Sequence, residues 1–217
     1  MKSITAQKPL EELLDYLQWV KKVFIVGCGT CPTMMNTGGV EQVAELGEQL
    51  AANGKRVSGT IVLPVACEPL SHDARGEFIE LVRGADAVIV MSCAYGVRNV
   101  SDLVEIPVLP GLNTLFIGRE EGPGVFVEEC SQCGDCVLAL TGGICPITRC
   151  AKSLLNGPCG GSVNGICEVD KSIPCGWQMI IDRLSALGRL DLLDEIAPVR
   201  DWSTSFSGGP RRHSLGE

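Results

Sequence analysis

The chain has 217 residues, 45% of them apolar but only 5% aromatic, and a formal net charge of −8. That length suits one domain of ordinary size plus a smaller appendage, and its core is expected to be aliphatic. The acidic balance argues against nucleic acid as the main partner and remains compatible with docking on a protein.

Residues 1–22 mix charges with leucines and hold no uninterrupted apolar stretch of the signal-peptide kind. The apolar runs at 23–26, 61–66 and 87–91 are far too short to span a bilayer. The expectation is a soluble, cytoplasmic protein without a membrane span. In a reducing compartment, twelve cysteines point to metal binding rather than a disulfide framework.

A helix is expected over residues 9–20. Leu10, Leu13, Leu14 and Leu17 fall at i, i+3, i+4 and i+7, and Pro9 suits a first helical turn. Trp19 is expected to pack. Val23-Phe24-Ile25-Val26 reads as a buried strand running into the turn Gly27-Cys28-Gly29-Thr30-Cys31. A helix from near Gly39 carries Val40, Val43, Ala44, Leu46, Leu50 and Ala51 on one stripe and closes at Asn53-Gly54. A second strand over 57–64 leads to Cys67. A helix over 72–83 follows, then a third strand over 87–91 leading to Cys93. A helix over 97–104, a short strand near Val108 and strands over 114–117 and 125–127 complete the first part.

Strands and helices alternating at this spacing describe an α/β fold, a Rossmann-like parallel sheet with right-handed crossovers. In such sheets the carboxyl ends of the strands line the binding crevice. Cys28 and Cys31 follow the first strand, Cys67 the second and Cys93 the third. All four are thereby brought to one sheet edge, as a four-thiolate site. The bland alternative makes Cys67 and Cys93 ordinary core cysteines. Dinucleotide binding fits poorly, because Pro32 stands where the third glycine of G-x-G-x-x-G belongs.

Composition shifts after Gly122-Pro123-Gly124. The expected organisation is an α/β domain over 1–124, a small cysteine-rich module with a closing helix over 125–200, and a mobile tail over 201–217. The closing helix spans 176–193 with a break near Gly188. Trp177, Ile180, Ile181, Leu184, Leu187 and Leu190 form its buried stripe.

Eight of the twelve cysteines lie between positions 130 and 175, with dense glycine between them. Metal then substitutes for an apolar core, and glycine lets peptide N–H groups approach sulfur closely. Cys130-x2-Cys133-x2-Cys136 can wrap three irons of one cubane. The ferredoxin pattern C-x2-C-x2-C-x3-C-P is met with an insertion, because Cys145-Pro146 follows only after residues 137–144. By that analogy one site takes Cys130, Cys133 and Cys136 plus a distant thiolate. The other combines Cys145 and Cys150 with two of Cys159, Cys167 and Cys175. The pairings stay open, and any of the last five can be a free structural thiol. Zinc and a [4Fe–4S] cluster both accept four thiolates. One or two clusters are expected, up to three, with zinc an option in one quartet.

No hydrolytic or acyl-transfer constellation is present. His72 and His213 read as exposed bystanders, and Arg149, beside Cys150, as a surface arginine or a charge that raises a cluster's potential.

Gly157-Pro158-Cys159-Gly160-Gly161-Ser162 and Gly165-Ile166-Cys167-Glu168 join the Gly27-Cys28-Gly29-x-Cys31 turn and the triple-cysteine run. With these the chain, from about residue 23 to 193, resembles the small iron–sulfur subunit of acetogen-type methylenetetrahydrofolate reductase. That family is also described as a methylenetetrahydrofolate reductase C-terminal domain. The resemblance implies a partner subunit, a barrel carrying FMN or FAD, that reduces 5,10-methylenetetrahydrofolate to 5-methyltetrahydrofolate in the Wood–Ljungdahl pathway. It implies iron–sulfur clusters and zinc held by the twelve cysteines, electron delivery to the flavin, and room for further electron-input subunits. A chain of this length holds no barrel of its own, which fits a non-catalytic subunit. The rival readings are a zinc or iron–sulfur scaffold without electron transfer, and a corrinoid- or nucleotide-binding domain. The last is ranked behind, because no D-x-H-x-x-G signature occurs.

Overall fold

The computed structural model describes residues 2–205 and 210–211. His213 and the Gly208-Gly209 pair lie outside the described residues. The chain forms two compact units, Met1–Phe116 with Gly122–Phe126, and Ile117–Glu121 with Val127–Glu217.

The first unit begins with strand β1, Lys2–Gln7, which sequence pattern alone did not suggest; Ser3, Ile4 and Thr5 are buried. Helix α1, Leu10–Tyr16, follows Pro9 and is shorter than its leucine spacing predicts. Trp19 lies beyond its end and is 58% exposed, so the expectation that it packs is corrected. Next come β2, Lys22–Cys28, the short α2, Cys31–Met34, and α3, Val40–Ala52. The free N–H of Gly39 ahead of α3 donates to Gln42 Oε1 at 3.2 Å, satisfying one of the amides a helix start leaves unpaired. Strand β3, Arg56–Leu63, and α4, His72–Val82, follow, the latter capped by Ser71 Oγ accepting from Ala74 N. Then come β4, Ala87–Met91, α5, Ala94–Ser101, and β5, Val108–Pro110.

These strands make a four-stranded parallel sheet in the order β3-β2-β4-β5. Side chains alternate across a strand, so a sheet covered on both faces needs apolar residues at every position. Val23 and Ile25 with Ala87, Ile89 and Met91 face one core, which Leu13, Leu46 and Leu50 of the α1–α3 side complete. Phe24, Val26 and Cys28 with Val88 and Val90 face the other, closed by Phe78 and Val82 of α4 and Val100 of α5. Each fully buried side chain of this size contributes about 1.5–3 kcal/mol.

The strand expected over 114–117 is the middle of a longer one, β6, Leu112–Gly122. It belongs to a separate three-stranded sheet, order β1-β6-β7, with β7 at Val125–Cys130. The β6–β7 hairpin is where the chain passes from one unit to the other.

The second unit holds a 3-10 turn at Leu138–Leu140, helix α6 at Pro146–Arg149, and α7 at Gly176–Ala186. The 176–193 helix expected from sequence stops at Ala186. Gly188 takes φ +66°, and a 3-10 turn at Leu190–Leu193 follows. Trp177, Ile180 and Leu184 are buried as expected, whereas Leu187 and Leu190 are exposed beyond the break. The unit's own apolar core is small: Cys175, Trp177, Ile180 and Leu184, with Ile144, Cys150 and Leu154 among those packed against it. Of the segment expected to be a tail, Trp202–Thr204 form a 3-10 turn. Among the described residues no helix is long and apolar enough to cross a membrane.

Candidate metal centres

At the sheet edge, parallel pairing sets Cys28, the last residue of β2, opposite Leu63, the last of β3. Cys67 follows β3 in the next turn, and Cys93 precedes α5 directly after β4. Cys31 opens α2, three residues beyond Cys28. Cys28 and Cys93 are buried, Cys31 is intermediate and Cys67 is exposed. Burial of its sulfur pushes the Cys67 thiol up, and the neighbouring Cys93 and Cys28 push it the same way. Cys67 therefore lies close enough to Cys28 and Cys93, on two other loops, to feel them.

The loops are held by backbone bonds. Gly29 N donates to Leu63 O at 2.8 Å, Cys28 N to Gly38 O at 3.0 Å, and Thr33 Oγ1 to Cys28 O at 2.7 Å. Asn99, on α5, donates through Nδ2 to both Ala66 O and Glu68 O at 2.9 Å. It thus clamps the carbonyls on either side of Cys67 to the helix that Cys93 opens. Nothing in the helical stripe of α5 marks Asn99 in the sequence.

In the second unit four of the eight cysteines come to one place. Cys150, Cys159, Cys167 and Cys175 line one cavity together with Trp177 and Glu168. Cys145, which sequence analogy groups with Cys150, is not among its lining. It stands at the other end of α6, ahead of Pro146. Four local features build the cavity. A Cβ at Gly176 would collide with the Arg149 carbonyl, so only glycine lets α7 start against α6, which carries Cys175 to Cys150. Trp177 Nε1 donates to Leu154 O at 2.9 Å and fixes the following loop. Asn164 and Gly165 both take positive φ, 52° and 78°, between the paired Val163 and Ile166. That is the tight hairpin turn Asn-Gly favours, and it delivers Cys167. Finally, Cys175 N donates to Gly165 O at 2.7 Å and Cys167 N to Ile173 O at 3.1 Å.

The triple-cysteine run begins at the end of β7. Gln132 takes φ +54° and Gly134 φ +85°, which coils residues 130–136. The coil turns amides toward sulfur: Gln132 N donates to Cys130 Sγ at 3.3 Å, as Gly161 N does to Cys159 Sγ at 3.4 Å. Residues near the C-terminus embrace this loop. Arg200 Nη2 donates to Cys133 Sγ at 2.9 Å and also to the Asp135 carbonyl. Thr204 Oγ1 donates to Cys133 O at 3.0 Å, and Arg211 Nη1 to Gln132 O at 2.8 Å. The sequence reading missed all three, because a polar segment without apolar period carries no signal of what it will contact.

Of the two readings of Arg149, the surface arginine is corrected. Its side chain is largely covered and paired with Glu121 at 3.2 Å and Glu129 at 3.9 Å. His72 is fully exposed, as expected.

Among the described residues no three His, Cys, Asp or Glu side chains close tightly enough to hold a metal ion. Four of the second unit's thiols, Cys150, Cys159, Cys167 and Cys175, share one cavity, and four thiolates are a donor set that zinc or an iron–sulfur cluster takes. Amide N–H groups already directed at cysteine sulfur, and buried guanidinium nitrogens of Arg200 without a hydrogen-bond partner, suit an anionic iron–sulfur group. The residues present therefore fit such a cluster.

Residues 109–203 match the family model described as methylene-tetrahydrofolate reductase C terminal. The match takes in β6, β7 and every cysteine from Cys130 to Cys175, and ties that segment to proteins related to methylenetetrahydrofolate reductase. No curated protein and no solved structure matches the chain.

Proposed function

We propose that this chain is the iron–sulfur subunit of a methylenetetrahydrofolate reductase complex, carrying electrons to a flavin on a partner barrel that reduces 5,10-methylenetetrahydrofolate to 5-methyltetrahydrofolate. One observation carries the reading: four cysteines spread over 150–175 line a single cavity inside the segment that matches the reductase-related family. Cys150, Cys159, Cys167 and Cys175 would hold one [4Fe–4S] cluster. The remaining cysteines of this unit, Cys130, Cys133, Cys136 and Cys145, would hold a second. Each cluster, when bound, supplies one-electron transfer at a potential set by its surroundings.

The chain's own contribution is to hold and insulate. Thiolates anchor, the N–H groups of Gln132 and Gly161 spread the sulfur charge, and Trp177 walls the Cys150 cavity from water. At the sheet edge Cys28, Cys31, Cys67 and Cys93 form the third quartet. Zinc and a cubane both satisfy four thiolates, and the metal lost from a Cys67→Ser variant tells them apart.

The test is anaerobic purification with metal analysis and EPR before and after dithionite. Roughly eight or twelve irons per chain are expected, two or three cubanes' worth, with reducible signals and a flavin chain alongside. Cys150→Ser should remove about four irons and one signal. Zinc alone, with no reducible signal, would reassign the chain as a structural adaptor.

A further inference from the structure

Arg200 is the only arginine among the described residues that contacts a cysteine sulfur, and it is placed as few arginines are. Its side chain is only 3% exposed. Nη2 donates to Cys133 Sγ at 2.9 Å and to the Asp135 carbonyl. Among the described residues the carboxylate within 4 Å of it is Asp135, whose Oδ2 lies 3.8 Å from Nη1, beyond hydrogen-bond reach. Nε and Nη1 are buried with no hydrogen-bond partner. The Trp202 ring packs over the guanidinium at 5.1 Å and keeps water from that face.

Burying a guanidinium with two unpaired nitrogens is costly unless an anion shares the site. Here the sulfur of Cys133 is the group it points to. We propose that Arg200 is a positioning and tuning residue for the redox group that Cys130, Cys133 and Cys136 hold, its charge compensating the anionic thiolate cluster and favouring the reduced state. This rests on the iron–sulfur reading given above.

Reduction adds one negative charge to the cluster. A fixed, buried positive charge against one of its sulfurs stabilises the reduced form more than the oxidised one. Arginine suits the role better than lysine, since it cannot lose its proton and its planar guanidinium packs under the Trp202 ring while Nη2 reaches both the Asp135 carbonyl and the sulfur. Thr204 and Arg211 then fix the segment that carries Arg200 to the backbone of the same loop.

The experiment is a redox titration followed by EPR on the intact protein, for Arg200→Gln, Arg200→Lys and Cys133→Ser. In wild type, one reducible cubane signal should be abolished by Cys133→Ser. In Arg200→Gln that same signal should persist, with its electron affinity weakened tenfold or more, which is about 59 mV more negative for a one-electron couple. The Cys150 cavity's signal should not move. Arg200→Lys should recover most of the shift. Loss of the cluster in Arg200→Gln but not in Arg200→Lys would also support the charge role, read as retention rather than potential. Unchanged potential in Arg200→Gln would overturn the proposal. So would equal loss of the cluster in both arginine variants, since the guanidinium would then be only a structural contact. If wild type shows no reducible signal that depends on Cys133, the iron–sulfur reading itself falls, a result distinct from either.

Discussion

A single amide, Asn99, ties the turn that carries Cys67 to the helix that follows Cys93. Cys67 lies in a turn with no regular structure of its own, and its flanking carbonyls are fixed by Asn99 Nδ2 alone among side chains. Removing the amide leaves the Ala66 carbonyl, in a buried residue, without that donor. The net cost of such a loss is about 1–3 kcal/mol. Asn99→Ala should therefore lower stability by that amount in urea titration. It should also speed loss of metal from the first unit to a chelator, while the iron of the second unit leaves at its usual rate. Equal release from wild type and variant would show that the loop positions Cys67 unaided. The same scale explains what the sequence did and did not disclose. Each sheet-edge cysteine was legible from its place after a strand. Asn99 and Arg200 were not, because a polar residue becomes a clamp only through partners far along the chain.

At the level of elements, the parallel sheet was the most legible feature, since strands buried on both faces write an unbroken apolar run such as Ala87-Val88-Ile89-Val90-Met91. Strand β1 was not legible: six residues with small polar side chains at two buried positions give no such run. The entry of the central strands is set by Asp86. Its Oδ2 accepts from Lys22 N at 2.7 Å and Lys21 N at 2.9 Å, joining the turn before β4 to the start of β2. These backbone N–H groups, ahead of the flanking lysines, hold the Asp86 carboxyl below the usual aspartate range. A carboxyl with a depressed folded value contributes stability that is complete above the ordinary aspartate pKa, about 4. That contribution is lost as pH falls through the lower folded value. Asp86→Asn keeps an acceptor oxygen and removes only the charge. It should melt below wild type at pH 7, and the two melting curves should converge as pH drops below about 4. A gap that stays constant across that range would mean the charge is irrelevant.

Across the whole molecule, the two units are stabilised by different physics. The first unit builds an aliphatic core on each face of its sheet. The second has four buried residues in its cluster, one of them a cysteine of the cavity. Its loops are held by turns at positive φ, such as Asn164-Gly165, and by bonds such as Cys175 N to Gly165 O. Small folds with so little core depend on cross-links or metal for stability. The glycine-rich spacing between Cys145 and Cys175 did not disclose which cysteines share the cavity. That grouping follows from α7 starting against α6, a contact between distant positions that spacing does not encode. Stripping metal anaerobically with a chelator should therefore split the molecule's behaviour. By hydrogen exchange, α7 and the 159–175 loops should lose protection, while β2 and β4 keep theirs. Added chelator should turn one thermal transition of the second unit into a gradual one and leave the first unit's melting within a few degrees. If α7 stays protected in the metal-free protein, then Trp177, Ile180 and Leu184 suffice as a core, and the cysteine cavity is a receptacle formed before its metal rather than by it.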